Sequence, residues 1–320
     1  MNLRFTLWLC ALATTSSIAQ TDKYPSRPVT LVVPYAAGSS TDVMARGLAS
    51  KLQEFLGQPF VVTNREGGSG VVGMTALAQA APDGLTLAFT PLTPITVQPH
   101  LISGTRLGPD AVHPVCGITE NILAIAVKSD SPIRNMEDLI RRAKEGPALS
   151  YGSGGPNSAP SLGVEDLARN QGLHFTHVAF RGDAPTLQEL MAGRLDFGAI
   201  VAASASPFIK AGRVRLLAVM SNSRHPAFPA VPTLPELNYP VTQLSYTAIF
   251  APKGTPQQVL EALEQACSRS VVSDLVRGVA ETGNQVMNYQ SRAEMEKSVR
   301  EQYELQGKIL RAANAKGNAK

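Results

Sequence analysis

The chain has 320 residues, 44% of them hydrophobic and 17% charged, with a formal charge of +4. Those proportions describe a globular protein long enough for two cores and exclude a disordered or low-complexity chain. The basic residues are scattered rather than clustered, which gives nucleic-acid binding no footing.

The N-terminus departs from that average. Arg4 supplies a short positive region, Phe5–Ala13 ("FTLWLCALA") is apolar, and Ser17-Ile18-Ala19 has small side chains at the two positions a signal peptidase reads. The pattern predicts a secretory signal over residues 1–19, cleaved before Gln20, and a mature protein outside the cytoplasm. Leu9 in front of Cys10 argues against a lipid anchor. No later apolar run approaches the ~18–20 residues of a membrane span.

Beyond the signal, strand-like and helical runs alternate. Val29–Val33 reads as a buried strand, and Asp42–Leu56 as a helix with Met44, Leu48, Leu52, Phe55 and Leu56 on one face, ended by Gly57 and Pro59. Phe60–Thr63 reads as strand, Val71–Ala80 as helix and Leu85–Phe89 as strand. The order continues with strand Ile122–Val127, helix Asn135–Lys144, strand Ala148–Tyr151 and helix Ser161–Asn170. Strand His174–Ala179, helix Thr186–Ala192, strand Leu195–Val201, helix Ser204–Ala211 and strand Val214–Met220 follow. Pro226, Pro229, Pro232 and Pro235 break the pattern, Tyr246–Phe250 returns to strand, and the end reads as helical from Pro256. Alternation of this kind predicts an α/β protein with mostly parallel sheets flanked by helices.

Two polar loops fall where such folds bind ligands. "PYAAGSSTD" (Pro34–Asp42) follows the first strand, and "YGSGGPNSAPS" (Tyr151–Ser161) holds the same place in the second half. In open α/β sheets ligands sit beyond the carboxyl ends of the strands, where helix N-termini offer unpaired N–H groups and positive potential. Two such loops facing each other suit a small carboxylate. Ser39 and Asp42 also fit a capping box, and a carboxylate at Asp42 would repel an anion, so capping is its expected role.

Other motifs carry less. Gly68–Gly73 fits G-x-G-x-x-G, but no acidic residue ends the next strand, so the glycines are read as packing positions or a small-anion nest. There is no G-x-S-x-G elbow. His174 and His177 sit three apart on a strand, which points them to opposite faces and disfavours a metal. Arg181 follows a strand end and is either a surface arginine or a cleft arginine pairing with a carboxylate. Cys116 and Cys267 are either bonded or two buried thiols.

The chain resembles the solute-binding proteins of tripartite tricarboxylate transporters, the Bordetella-uptake-gene or Bug family. The resemblance is carried in order by "YPSRPVTLVVPYAAGSSTD", "TNREGGSGVVGMTALAQAAPDGLTL", "YGSGGPNSAPSL", "HVAFRGDAPTLQELMAGRLD", "IKAGRVRLLAV", "PAVPTLPE" and "FAPKGTP". It implies a two-lobed, type II-like periplasmic binding fold with two hinge crossings, closing over its ligand. The expected division is residues 24–117 with 247–320 as lobe I and 118–246 as lobe II. It implies a periplasmic, monomeric receptor without cofactor or enzymatic activity, which hands a small carboxylate to one large and one small membrane subunit. Carried over by position, the ligand contacts are Tyr35, Ala36, Gly38, Ser39 and Asp42 in lobe I and Ser153, Gly155, Asn157 and Ser158 in lobe II. Thr93, Arg181, Ala184, Ile200 and Tyr246 complete the candidate set.

The chain also departs from the family pattern. The second-lobe loop loses a glycine and a histidine, and Gly198-Ala199-Ile200-Val201 stands where many members read "MFDN". Losing that acid leaves a ligand ammonium without a partner, so the expected ligand is a dicarboxylate, tricarboxylate or aromatic acid rather than an amino acid. Two rivals of other classes remain. A sensor subunit would lack neighbouring genes for membrane subunits, and a hydrolase would need a nucleophile and base that the sequence does not display.

Overall fold

The computed structural model describes residues 24–317; the expected signal over residues 1–19 lies outside the described residues. Strand β1 (Val29–Val33) is a buried apolar run. It pairs in parallel with β2 (Phe60–Asn64) on one side and β3 (Thr86–Pro91) on the other. Helix α1 (Ser40–Leu56) connects β1 to β2 and presses Met44, Leu48 and Leu52 against β1 and β3, all three fully buried. At roughly 1.5–3 kcal/mol per large apolar side chain, this face is the main force seating the helix. Gly57, with φ +77°, ends it in the left-handed conformation and returns its N–H to the Gln53 carbonyl.

The first sheet is completed by β4 (Val112–Glu120), β10 (Tyr246–Pro252) and β11 (Val286–Gln290), in the order β11-β4-β10-β3-β1-β2. Helices α2 (Val71–Ala78), α3 (Thr93–Thr96), α8 (Gln257–Val271), α9 (Asp274–Gly283) and α10 (Arg292–Gly317) cover it. The second sheet contains β5 (Leu123–Lys128), β6 (Leu149–Ser153), β7 (Phe175–Ala179), β8 (Phe197–Val201) and β9 (Val214–Val219), in the order β7-β6-β8-β5-β9. Helices α4 (Met136–Glu145), α5 (Ala159–Gln171), α6 (Asp183–Met191) and α7 (Ala202–Lys210) flank it. Each sheet carries an apolar cluster on both faces, so there are two bodies with separate cores.

The sheets are mixed rather than mostly parallel. Pairs β3–β10, β10–β4 and β4–β11 are antiparallel, as are β8–β5 and β5–β9. Strands β4 and β11 do not emerge from the sequence reading. Strand β4 contains Pro114 and Gly117, and its pairing with β10 slips at Ile249/Phe250, where Pro114 sits opposite Phe250. A proline cannot donate to the ladder and is tolerated at such an irregularity. Strand β11 interrupts the C-terminal stretch expected to be all helix. Gly68–Gly70 forms a single 3-10 turn before α2, and Gly73 packs so close to Pro34 that a Cβ there would come within 2.7 Å of it.

Among the described residues the chain passes between the sheets twice, at Asn121-Ile122 and again between β9 and β10. Strand β4 runs on to Glu120, past the boundary expected at Gly117. The two crossings are stitched together: Asn121 N–H donates to the Ser245 carbonyl at 2.6 Å, and Asn121 Nδ2 to Thr247 Oγ1 at 2.7 Å. Cys116 of β4 and Cys267 of α8 form a disulfide, which decides the question their sequence positions left open.

Candidate functional site

The carboxyl ends of β1, β6 and β8 open onto one cavity of about 320 Å³ between the bodies. That is near the small end of ligand-site volumes, roughly 300–1,000 Å³. Its wall is built from turns: residues 35–41 after β1, Ser158–Pro160 at the start of α5, Arg181–Pro185 at the start of α6, and Val201 with Ser204 at the start of α7. First-turn N–H groups have no intrahelical partner and carry positive potential. Four helices therefore point their donor ends at one space. The bodies touch around it, where Ser69 Oγ donates to the Pro156 carbonyl at 3.2 Å and, further out, Gln306 Nε2 to Gln243 Oε1 at 3.1 Å.

The lobe I turn is held by one buried carboxylate. Ser39 caps α1, its hydroxyl oxygen accepting the Asp42 N–H at 3.3 Å. Asp42 reaches back to accept the Gly38 N–H at 2.9 Å, so the capping box is reciprocal. It also accepts from Arg46 through both oxygens and from Asn64 Nδ2, which bonds the Tyr35 carbonyl as well. Burial alone would push the Asp42 carboxyl up, but bonds from Arg46, Gly38 and Asn64 outweigh it and hold the group below its usual range. Gly38 has φ +79°, a backbone shape that favours glycine. Burial pushes the Tyr35 phenol up to about 12, with the Asp183 charge adding to the rise against a hydrogen bond shared with Thr90, so it keeps its proton.

The lobe II turn is wired differently. Ser158 caps α5 with no side-chain cap bond. Its hydroxyl has only two long contacts, 3.3 Å to Ser153 Oγ and 3.3 Å to Ser161 Oγ. Ser153 donates to the Gly155 carbonyl at 2.9 Å and lies 2.7 Å from His177 Nε2. A hydroxyl has one proton, which assigns the His177 proton to Nε2. The Ser–His spacing looks like a nucleophile and base. Ser153, however, is fully buried and outside the cavity wall, and its proton is committed to a backbone carbonyl.

Arg181 and Asp183 are the charged side chains on the wall. The structure thus places Arg181 at the cavity, where it forms no ion pair within 4.0 Å among the described residues. Asp183 opens α6 and accepts the Val201 N–H at 3.0 Å. Burial pushes its carboxyl up to about 6, against hydrogen bonds from Val201 and Ser204.

Of the candidates named from sequence, the cavity brings together Tyr35, Ala36, Gly38, Ser39, Thr93, Ser158, Arg181 and Ala184. Asp42 and Ser153 lie beneath their loops, 2% and 0% exposed. Gly155 and Asn157 shape the lobe II turn without reaching the wall. Ile200 is buried among Leu187, Leu190 and Val219, and its neighbour Val201 faces the cavity instead. Tyr246 is half-buried against an apolar cluster of lobe I and does not line the cavity. Sequence reasoning missed Ser69, Asn121, Ser204 and Ser245 as wall residues and left Asp183 outside the candidate set, as an acid that would face the cleft only if amino acids bound. The loss of an acid at position 200 therefore does not leave the cavity without a carboxylate. The signal for Asp183 was its place two residues after Arg181, between a strand end and a helix.

The fold agrees with comparisons to known proteins. Residues 44–315 match the family profile of the tripartite tricarboxylate transporter family receptor, TctC. The chain is 36% identical over 258 residues to a UPF0065 protein of Bordetella pertussis, covering 80% of each. It superposes on MatC from Rhodopseudomonas palustris with bound malate at a TM-score of 0.83 and 27% identity, covering 89% of this chain and 99% of that one. It superposes equally, TM-score 0.83 and 29% identity, on R. palustris Rpa4515 with adipate, covering 91% and 98%. Proteins of this kind are solute-binding proteins and not enzymes. By profile, sequence and fold together, the chain belongs to the tripartite tricarboxylate transporter receptor family.

Proposed function

We propose that this protein is a periplasmic receptor that captures a small carboxylate between its lobes and hands it to the large and small membrane subunits of a tripartite tricarboxylate-type transporter. The observation that carries the reading is the convergence of helix N-termini from both bodies on one small cavity. Malate in MatC and adipate in Rpa4515 support the ligand class, since each is a short dicarboxylate. One carboxylate would take the first-turn N–H groups and hydroxyls of α1 and α5, and Arg181 stands free to meet a second. Dicarboxylates, tricarboxylates and aromatic acids are the ligands to try. A thermal-shift screen of the mature protein against them, followed by calorimetry of the hits, tests the reading. Saturable binding by at least one carboxylate is expected, and a flat response to the whole panel would sink it.

A further inference from the structure

We propose that Asp183 makes the cavity selective for carboxylates that also carry a hydrogen-bond donor, a hydroxyl or an ammonium group, over plain diacids of the same length. The inference rests on the carboxylate-binding reading and sharpens its substrate class. It also removes the ground for expecting amino acids to bind poorly, which was a cleft without an acid.

Asp183 has acceptor capacity that the protein leaves unmatched. Everything else polar on the wall is neutral, except Arg181. The helix starts and hydroxyls supply donors in excess, and these suit the ligand's carboxylate. Asp183 is the one charged acceptor. Its Oδ2 takes the Val201 N–H and its carboxyl takes a bond from Ser204, yet no cation is among the groups that set its ionisation. An ionised carboxylate has about four acceptor positions. Two protein donors leave capacity for a third from the ligand. The groups facing it are Arg181 on its own turn and the protonated Tyr35 phenol across the cleft. A ligand hydroxyl or ammonium beside Asp183 gains a charge-assisted bond. A second ligand carboxylate in the same place meets a like charge, and one of the two must take up a proton.

The two cases have opposite pH dependence. A donor-bearing ligand favours the ionised acid, so its affinity tightens as pH rises through about 6, the value to which burial raises Asp183. A plain diacid lying against Asp183 requires the protonated form, so its affinity tightens as pH falls through the same region. A strut that merely joins α6 to α7 produces neither slope.

Calorimetry of the mature protein decides the matter with two matched series at pH 5 and pH 8: succinate, malate and aspartate, then glutarate, 2-hydroxyglutarate and glutamate. In at least one series the hydroxyl or amino member is expected to bind about tenfold more tightly than its parent at pH 8, and the malate and aspartate arms distinguish the two donors. Asp183→Asn keeps the shape and a carbonyl oxygen for Val201 but offers an NH₂ to the cavity. That variant, checked by circular dichroism to keep the wild-type fold, should lose or invert the preference and the pH slope. Parents binding as well as donor-bearing members in the wild type would overturn the proposal even if the variant fails to fold. So would a preference that survives Asp183→Asn. Binding by no member of either series, nor by any acid of the wider panel, would instead bring down the carboxylate reading itself, and this proposal with it.

Discussion

Ser39 and Ser158 cap the helices on opposite sides of the cavity with nearly the same backbone, φ −65° and ψ 159° against φ −67° and ψ 154°. Their hydroxyls do different work. Ser39 gives its oxygen to the α1 backbone, and its proton takes no acceptor among the described residues. Ser158 leaves the α5 backbone uncapped and shares its proton between two long contacts. Lobe I therefore presents a hydroxyl on a turn tied to a buried carboxylate, and lobe II presents a helix start without a side-chain cap. One cap geometry thus yields two kinds of helix start, and the difference lies in what stands three residues on. Asp42 locks the first turn, whereas Ser161 only extends a chain of hydroxyls in the second.

The strongest way to test whether lobe I is the braced side is to remove its crosslink. Replacing both Cys116 and Cys267 by serine should cost about 2–5 kcal/mol in urea unfolding, since the bond closes a separation of 151 residues. A cost below 0.5 kcal/mol, on the order of an ordinary surface change, would mean that the brace lies elsewhere.

Asp42→Ala comes next. It strips charge-assisted bonds from Arg46, Gly38 and Asn64, and a loss of about 2–3 kcal/mol is expected. The sign with pH follows from the depressed carboxyl. Its contribution is present above the unfolded value near 3.8 and fades as pH falls through the lower folded value. Asp183 runs the other way. Its folded value near 6 lies above the unfolded 3.8, so stability declines as pH rises from about 4 to 6 and is then level. Unfolding titrations of the wild type, Asp42→Asn and Asp183→Asn between pH 3 and 8 should separate the two; parallel curves for the two variants would contradict both assignments.

The smallest effects divide the two caps directly. Ser39→Ala should destabilise the fold by about 1 kcal/mol as a lost cap, whereas Ser158→Ala should leave stability within about 0.5 kcal/mol. Both should weaken carboxylate binding, by about 0.5–1.5 kcal/mol for a neutral bond or 1.5–3 if the acceptor stays charged. Equal unfolding midpoints for the two variants would erase the distinction, and unchanged affinity in both would move the site away from these serines.

Much of this was legible in the chain because local chemistry and tertiary role coincide. The Ser39–Asp42 box both starts α1 and shapes the cavity wall, so a capping signal located part of that wall. Where the two part company, the sequence reading fails. Position 200 lines up with a family motif, but side chains alternate along a strand, so a contact assigned one residue off lands in the core. Strand β4 was hidden because Pro114 and Gly117 suppress its local signal while β10 and β11 supply partners from more than 100 residues away. Asp183 looks in sequence like any acid opening a helix, and only the fold shows that it is buried at the cavity without an ion-pair partner within 4.0 Å among the described residues. The pairing of Cys116 with Cys267 likewise depends on a distance that no local pattern encodes.

The position of that crosslink has a mechanical consequence. Both sulfurs lie in the body of the first sheet, Cys116 before the first crossing and Cys267 after the second. A rotation of one body against the other about the stitched strands at Asn121 and Ser245 would put no load on the bond. The bond thus tethers the first body against unravelling without spanning the two crossings, so durability and any movement between the bodies fall to separate parts of the chain.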